Sequence, residues 1–205
     1  MTPEETIQRV RAAMATLPGA VAHDAFVSDG HVAVRWSRDG WTGQSLMRFV
    51  DGNVVQMWTT ARPPEFGAWP DTGDPEGALQ AVVRRASMDH APARKTIERY
   101  CEIRGNQARA EELRAMFIDP MVVHDSGRPR VADIDTFIQR VRDEVDERLV
   151  FRADQVVCSG DRAIMRWTYL RDSALIQAGL TIYAFRDGVI AERWQTPLPD
   201  GLPWL

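Results

Sequence analysis

The sequence predicts an α+β protein in which a helix lies on a curved antiparallel sheet, and it predicts that unit twice. Three observations carry this. The phrase TIQRVRAAM at 6–14 returns as FIQRVRDEV at 137–145. Each is followed by an apolar-alternating run that ends in an Arg-Trp pair, Arg35 and Trp36 in AFVSDGHVAVRWS, Arg166 and Trp167 in VVCSGDRAIMRWT. Each copy then closes with strand, Asp-Gly turn and strand, SLMRFVDGNVVQMWTTARP against TIYAFRDGVIAERWQTPLP. Phe49, Trp58, Thr60 and Pro63 thereby fall on Phe185, Trp194, Thr196 and Pro199. Self-similarity of this kind sets the fold before any single element does.

The elements follow in order. The first helix spans 3–17 and the matching one 133–148, opened by Asp133 as N-cap, with Ile134, Phe137, Ile138, Val141 and Val145 on one apolar stripe. On that helix Gln139, Arg140 and Arg142 read as a solvated face. Each Asp-Gly sits between period-2 runs, the signature of a hairpin whose primed turn needs positive φ. Four strands therefore follow each helix. ARPPEFGAWPDTGDPEG is rich in Pro and Gly and marks a linker, with a short helix from Ala78 to Met88. Two helices at 93–104 and 107–117 and an extended segment around 121–124 precede the second copy; the first has no counterpart of them. The organisation is a truncated unit at 1–63, a linker at 64–92 and a full unit at 93–205.

Composition excludes several functions. With 44% hydrophobic residues in 205, the chain can bury a full core. A net charge of −4 supplies no basic face for phosphates, so nucleic acid is excluded as a partner. No stretch approaches the roughly 20 apolar residues of a membrane span, and MTPEETIQRV lacks the basic start and apolar run of a secretory signal. The expected location is cytoplasmic. Cys101 and Cys158 have no metal-site or disulfide-framework spacing, and His23, His31, His90 and His124 are scattered, so neither metal nor other cofactor is implied.

From about 93 to 199 the chain resembles the SnoaL-like family of the nuclear transport factor 2-like superfamily. The residues that carry the resemblance are FIDPMVVHD, VVCSGDRAIMRWT and the hairpin IYAFRDGVIAERW. The resemblance implies the cone-shaped fold (a cystatin-like roll) shared with ketosteroid isomerase and the small polyketide cyclases, one full copy preceded by a truncated one. It also implies a small hydrophobic ligand, and dimerisation through the sheets. Here the truncated copy would supply that contact as a pseudo-dimer within one chain, a homodimer being the other arrangement.

The family hosts isomerases, dehydratases, cyclases, hydrolases and binding modules, so the site has to be read from its residues. Acidic residues on the last two long strands serve the cyclases as acid or base. This chain has Thr181 and Gln195 there, and neither titrates near neutrality. His124 matches a histidine of the pocket entrance and suits acid-base work, or it caps a strand end; Asp125 orients it or starts the Asp-Ser-Gly turn. Strand alternation puts Thr181 with Tyr183, and Arg193 with Gln195. If those faces line the pocket, Tyr183, Arg193 and Gln195 are donors to a carbonyl or enolate; if not, they belong to an interface. Met165, Trp167, Tyr169 and Trp194 are core packing or stacking platforms. Arg35 and Arg166 recur in both copies, which points to a structural ion pair. Trp204 folds over the cone mouth or frays. Three functions fit: a cofactor-free isomerase, cyclase or dehydratase of secondary metabolism acting on a hydrophobic carbonyl compound, a non-catalytic small-ligand binder, and a sheet-mediated assembly module.

Overall fold

The computed structural model describes residues 1–28, 30–66, 75–104, 107–124, 130–143 and 149–198. Helix α1 (Pro3–Ala15) starts at a capping box in which the Thr2 and Glu5 side chains each accept the other's backbone N–H, with Pro3 in the first turn. Its buried stripe, Thr6, Val10 and Ala13, faces an antiparallel sheet of β1 (Val21–Ser28), β2 (His31–Arg38), β3 (Trp41–Val50) and β4 (Asn53–Arg62) in chain order. Asp51 and Gly52 between β3 and β4 both have positive φ, as a type I′ turn requires.

The segment expected as a linker contributes to the first core. After a 3-10 turn (Pro64–Phe66), α2 (Pro75–Ala86) sends Val82 into one cluster with Val10, Ala13, Val27, Val34 and Trp36. Helices α1 and α2 together fill the inner face of the first sheet. A buried ion network pins α2 in place: Arg85 pairs with Asp24 of β1 and donates to Asp161 at 3.0 Å, and Arg162 donates to Asp24 at 2.9 Å.

In the second unit α3 (Ala91–Arg104) buries Ala93, Ile97, Tyr100 and Ile103. The helix expected at 107–117 is instead a 3-10 run, Gln107–Met116. The reason lies in its spacing: Ala110, Leu113 and Met116 are the buried residues, a period of three, and the pairs Arg109–Glu112 and Glu111–Arg114 join i,i+3 positions, which eclipse in a 3-10 helix. The extended segment is longer than expected, β5 (Phe117–His124), and a short β6 (Arg130–Ala132) pairs with it. Helix α4 (Ile134–Asp143) opens at Asp133, whose carboxylate accepts the Thr136 N–H at 2.8 Å. Its expected extension to 148, with Val145, lies outside the described residues, as do Asp125, Pro199 and Trp204.

Strands β7 (Leu149–Ser159), β8 (Arg162–Arg171), β9 (Ala174–Arg186) and β10 (Val189–Pro197) complete a six-stranded sheet of order β6-β5-β10-β9-β8-β7, with β5 parallel to β10. Asp187 and Gly188 repeat the type I′ turn. The register irregularities also recur: β1 shifts between Ala22 and Asp24 and β7 between Ala153 and Gln155. Helices α3 and α4 cover one face of this sheet, where Ile97, Tyr100, Phe137 and Ile138 meet Met165, Trp167 and Tyr183.

The other face meets the first sheet. Phe26, Ala33, Leu46 and Trp58 pack against Val157, Ile164, Leu180, Ile182 and Trp194 in a third core. The Arg35 guanidinium lies over the Trp194 ring at 4.7 Å, and the Arg166 guanidinium over Trp58 at 4.5 Å. The two recurring arginines thus stack reciprocally across the sheets.

Candidate functional site

The site is built from the face of the six-stranded sheet that α3 and α4 cover. Thr181 and Tyr183 point there from β9, Arg193 and Gln195 from β10, and Met165, Trp167 and Tyr169 from β8; all seven line one cavity. Helix α3 adds Tyr100 and Arg104, α4 adds Phe137 and Arg140, and β7 adds Phe151. Sequence reading did not assign these five. Ile97, Tyr100 and Arg104 do share an i, i+3, i+7 face of α3, and that was the available signal. Arg140, expected on a solvated face, is exposed and stands at the cavity rim.

Trp167 forms one wall because of the residue opposite it. In the register it faces Gly179, where a Cβ would come within 2.4 Å of the indole Cζ2. With glycine there the ring lies across β9, and its Nε1 donates to the Thr181 hydroxyl at 2.9 Å. The first sheet repeats the device with Trp36, Gly43, where a Cβ would stand 2.2 Å from Cζ2, and the Ser45 hydroxyl, which accepts from Trp36 Nε1 at 2.9 Å. Trp167 is therefore both core and cavity wall.

Tyr183 is buried with its ring edge-on to Tyr100 at 5.8 Å. Burial first, and Tyr100 second, push its phenol well above the ordinary value, against the opposing pull of Arg193. It is a protonated donor across the physiological range. Arg193 is 3% exposed, with its guanidinium over the Phe137 ring at 5.1 Å. Arg104 meets the Tyr169 hydroxyl and lies over Phe151 at 5.6 Å. The described lining carries three guanidinium groups and no carboxylate.

The cavity is about 20 Å³, room for about one water. A second cavity of about 170 Å³ adjoins it beneath β5, β6 and α4, and the two share Phe137, Arg140 and Arg193.

His124 does not join these residues, which corrects its expected place at the pocket entrance. It lies on β5 in register with Trp194, stacks on that indole (centroids 5.0 Å apart, planes 4° apart), and its Nε2 donates to the Glu192 carboxylate at 2.5 Å. Trp194 follows Arg193 on β10, so the two side chains take opposite faces. His124 and Trp194 belong to the face that meets the first sheet, and Tyr183, Arg193 and Gln195 to the cavity face. The parallel pairing of β5 with β10 set this, and no local pattern in MVVHD reveals it. Cys101 is not a nucleophile: burial, then Glu98, pushes its thiol up to about 12, and the thiol donates to Met165 Sδ at 3.5 Å. Among the described residues no group of three or more His, Cys, Asp or Glu could hold a metal, and no helix is long and apolar enough to cross a membrane.

Helices closing one face of a curved mixed sheet around a tyrosine- and arginine-lined interior give this unit an α+β cone. Residues 97–193 match the family model of the SnoaL-like domain. Solved structures similar to the chain include a proposed ketosteroid isomerase from Kribbella flavida, 13% identical, covering 58% of this chain and 86% of that one with a TM-score of 0.48. IdmH, a proposed polyketide cyclase from Streptomyces antibioticus, is 20% identical over 53% of this chain and 92% of its own, with a TM-score of 0.43. An LEH-like epoxide hydrolase of M. tuberculosis is 14% identical over 52% and 82%, with a TM-score of 0.43. None of these likenesses assigns an activity to this chain. No curated protein matches it.

Proposed function

We propose that the second unit binds a small, flat, hydrophobic compound through a carbonyl or carboxylate oxygen, without a cofactor, and that the first sheet serves as its built-in partner. The observation that carries the ligand reading is the convergence of Tyr183, Arg193 and Gln195 on one aromatic-walled cavity; the carboxylate on the described lining of the adjoining cavity, Asp133, is engaged in capping α4 through the Thr136 N–H and hydroxyl. Tyr183, Arg193 and Gln195 donate to an oxygen, and none of the three is a base near neutrality. Small-molecule sites span roughly 300–1,000 Å³; the cavities of about 20 and 170 Å³ fall short of that even joined, so binding requires Phe137, Arg140 and Arg193, which line both, to shift and open further space. The reciprocal Arg35–Trp194 and Arg166–Trp58 stacks support the partner reading.

Thermal shift against flat polyketide-, steroid- and terpenoid-type ketones and the matching carboxylic acids tests the ligand reading. A compound at about 100 times its Kd adds about 2.7 kcal/mol, which raises Tm by about 5–11 °C for a chain of this size. Arg193→Met is expected to abolish the shift. If no compound moves Tm by more than about 1 °C, the cavity is not a ligand site.

Turnover is the second reading, favoured by Tyr183 held protonated beside Arg193, where both can stabilise an enolate oxygen as it forms. Mass spectrometry of the same incubations looks for isomerised, cyclised or dehydrated product. Product that disappears with Tyr183→Phe while the thermal shift persists would establish an enzyme.

A further inference from the structure

Resting on the built-in-partner reading, we propose that the contact between the two sheets is specific for unlike halves, so that the outer face of the second sheet accepts the first sheet and discriminates against a second copy of itself. The register defines which positions correspond. Asp24 pairs with Arg35 across β1 and β2 as Gln155 pairs with Arg166 across β7 and β8. By the same rule His31, opposite Ser28, corresponds to Arg162, opposite Ser159. Gln44, opposite Arg35, corresponds to Leu180, opposite Arg166.

Some contacts are identical in both halves. The arginines that stack, Arg35 and Arg166, and the tryptophans under them, Trp58 and Trp194, would meet in any pairing of these sheets. They supply attraction without choice. Three positions differ, and each difference is used. Asp24 of the first sheet accepts from Arg162 Nε of the second at 2.9 Å, and the Gln155 amide of the second meets His31 Nε2 of the first at 2.8 Å. Gln44, fully buried, donates to the Trp194 carbonyl at 2.8 Å and to the Thr196 hydroxyl at 2.9 Å.

Two second sheets brought together in this geometry would set Gln155 against Arg162 at both ends. Each Arg162, half-buried, would keep the Asp161 carboxylate of its own half at 3.1 Å but lose the Asp24 carboxylate that its Nε now reaches, and Leu180 would stand where Gln44 satisfies the β10 carbonyl. A half-buried charge that loses a carboxylate and a buried carbonyl that loses its donor are usual means by which one pairing is rejected in favour of another.

The test uses the full chain with a protease site inserted in the turn between Met88 and Ala91, so that α2 stays with the first sheet it packs on, cut after folding and followed by native mass spectrometry over a dilution series. The expected species is a one-to-one complex of the two pieces, with no pair of the larger piece. Asp24→Gln and Gln44→Leu each give the first half the residue of the second. Each is expected to shift dissociation of the complex to at least about tenfold higher concentration, with circular dichroism of the uncut chain confirming the fold. If Asp24→Gln does not fold, Gln44→Leu, which keeps an apolar contact, decides. Pairs of the larger piece at concentrations comparable to the unlike complex, or variants that hold as tightly as the parent, overturn the specificity. Cut parent protein that separates into folded monomers instead overturns the built-in-partner reading itself.

Discussion

Replacing Gly179 by alanine tests whether the indole of Trp167 is held where the cavity needs it. The added Cβ would stand 2.4 Å from Trp167 Cζ2 and 2.9 Å from both Pro197 Cα and the Thr196 carbonyl oxygen. Two of those three neighbours are backbone, so β10 has to give way as well as the ring. Overpacking of this kind costs about 1–3 kcal/mol. Moving the ring also breaks the Trp167–Thr181 hydrogen bond, worth about 1 kcal/mol. The expected total is about 2–4 kcal/mol, or a Tm lower by about 4–16 °C at 2–4 °C per kcal/mol for this chain length. Calorimetry of Gly179→Ala, Gly43→Ala and Gly52→Ala separates the causes. At Gly43 in the first sheet a Cβ would likewise stand 2.2 Å from the Trp36 indole; Gly52 has φ +80 and nothing within 4 Å of its would-be Cβ. Gly52→Ala should show backbone strain alone, about 1 kcal/mol. A Gly179→Ala protein no less stable than Gly52→Ala would refute the argument that the close approach of Trp167 requires glycine at 179.

Three further outcomes are expected. Burial alone would raise the Asp24 carboxyl, but Arg162 and Arg85 outweigh it and hold the group below its ordinary value, so its stabilisation is complete above about pH 4 and is lost as pH falls through the lower folded value. Acid melts should therefore show a steep loss below about pH 4 that flattens in Asp24→Asn, which starts less stable. Thr181→Val leaves the Trp167 Nε1 without its acceptor and should lower stability by about 1–3 kcal/mol in denaturant titrations, with Ser45→Ala behaving alike at Trp36. Cys101, its thiol pushed up to about 12, should react with iodoacetamide at pH 8 about a thousandfold more slowly in the native protein than in the denatured chain; comparable rates would show that the thiol is not shielded.

What was legible in the sequence was whatever depends on neighbours along the chain. The Asp51-Gly52 and Asp187-Gly188 hairpins are local turn chemistry, and both appear with positive φ at each residue. Strand alternation correctly grouped Thr181 with Tyr183 and Arg193 with Gln195, because successive side chains must alternate. The 3-10 run at Gln107–Met116 was missed although its period of three was present, because strong helix formers such as Ala108, Leu113 and Glu112 suggest the wider winding.

Which face each group took was decided only by packing at long range. Helices α3 and α4 lie over Arg193 and Gln195, while the first sheet lies over Trp194, its neighbour in sequence. His124 follows Trp194 to the sheet-facing side because β5 pairs in parallel with β10, far along the chain. A strand's alternation is a property of its own backbone, whereas the direction called inside is set by whatever buries it, and in this chain both faces of the second sheet are buried against different partners.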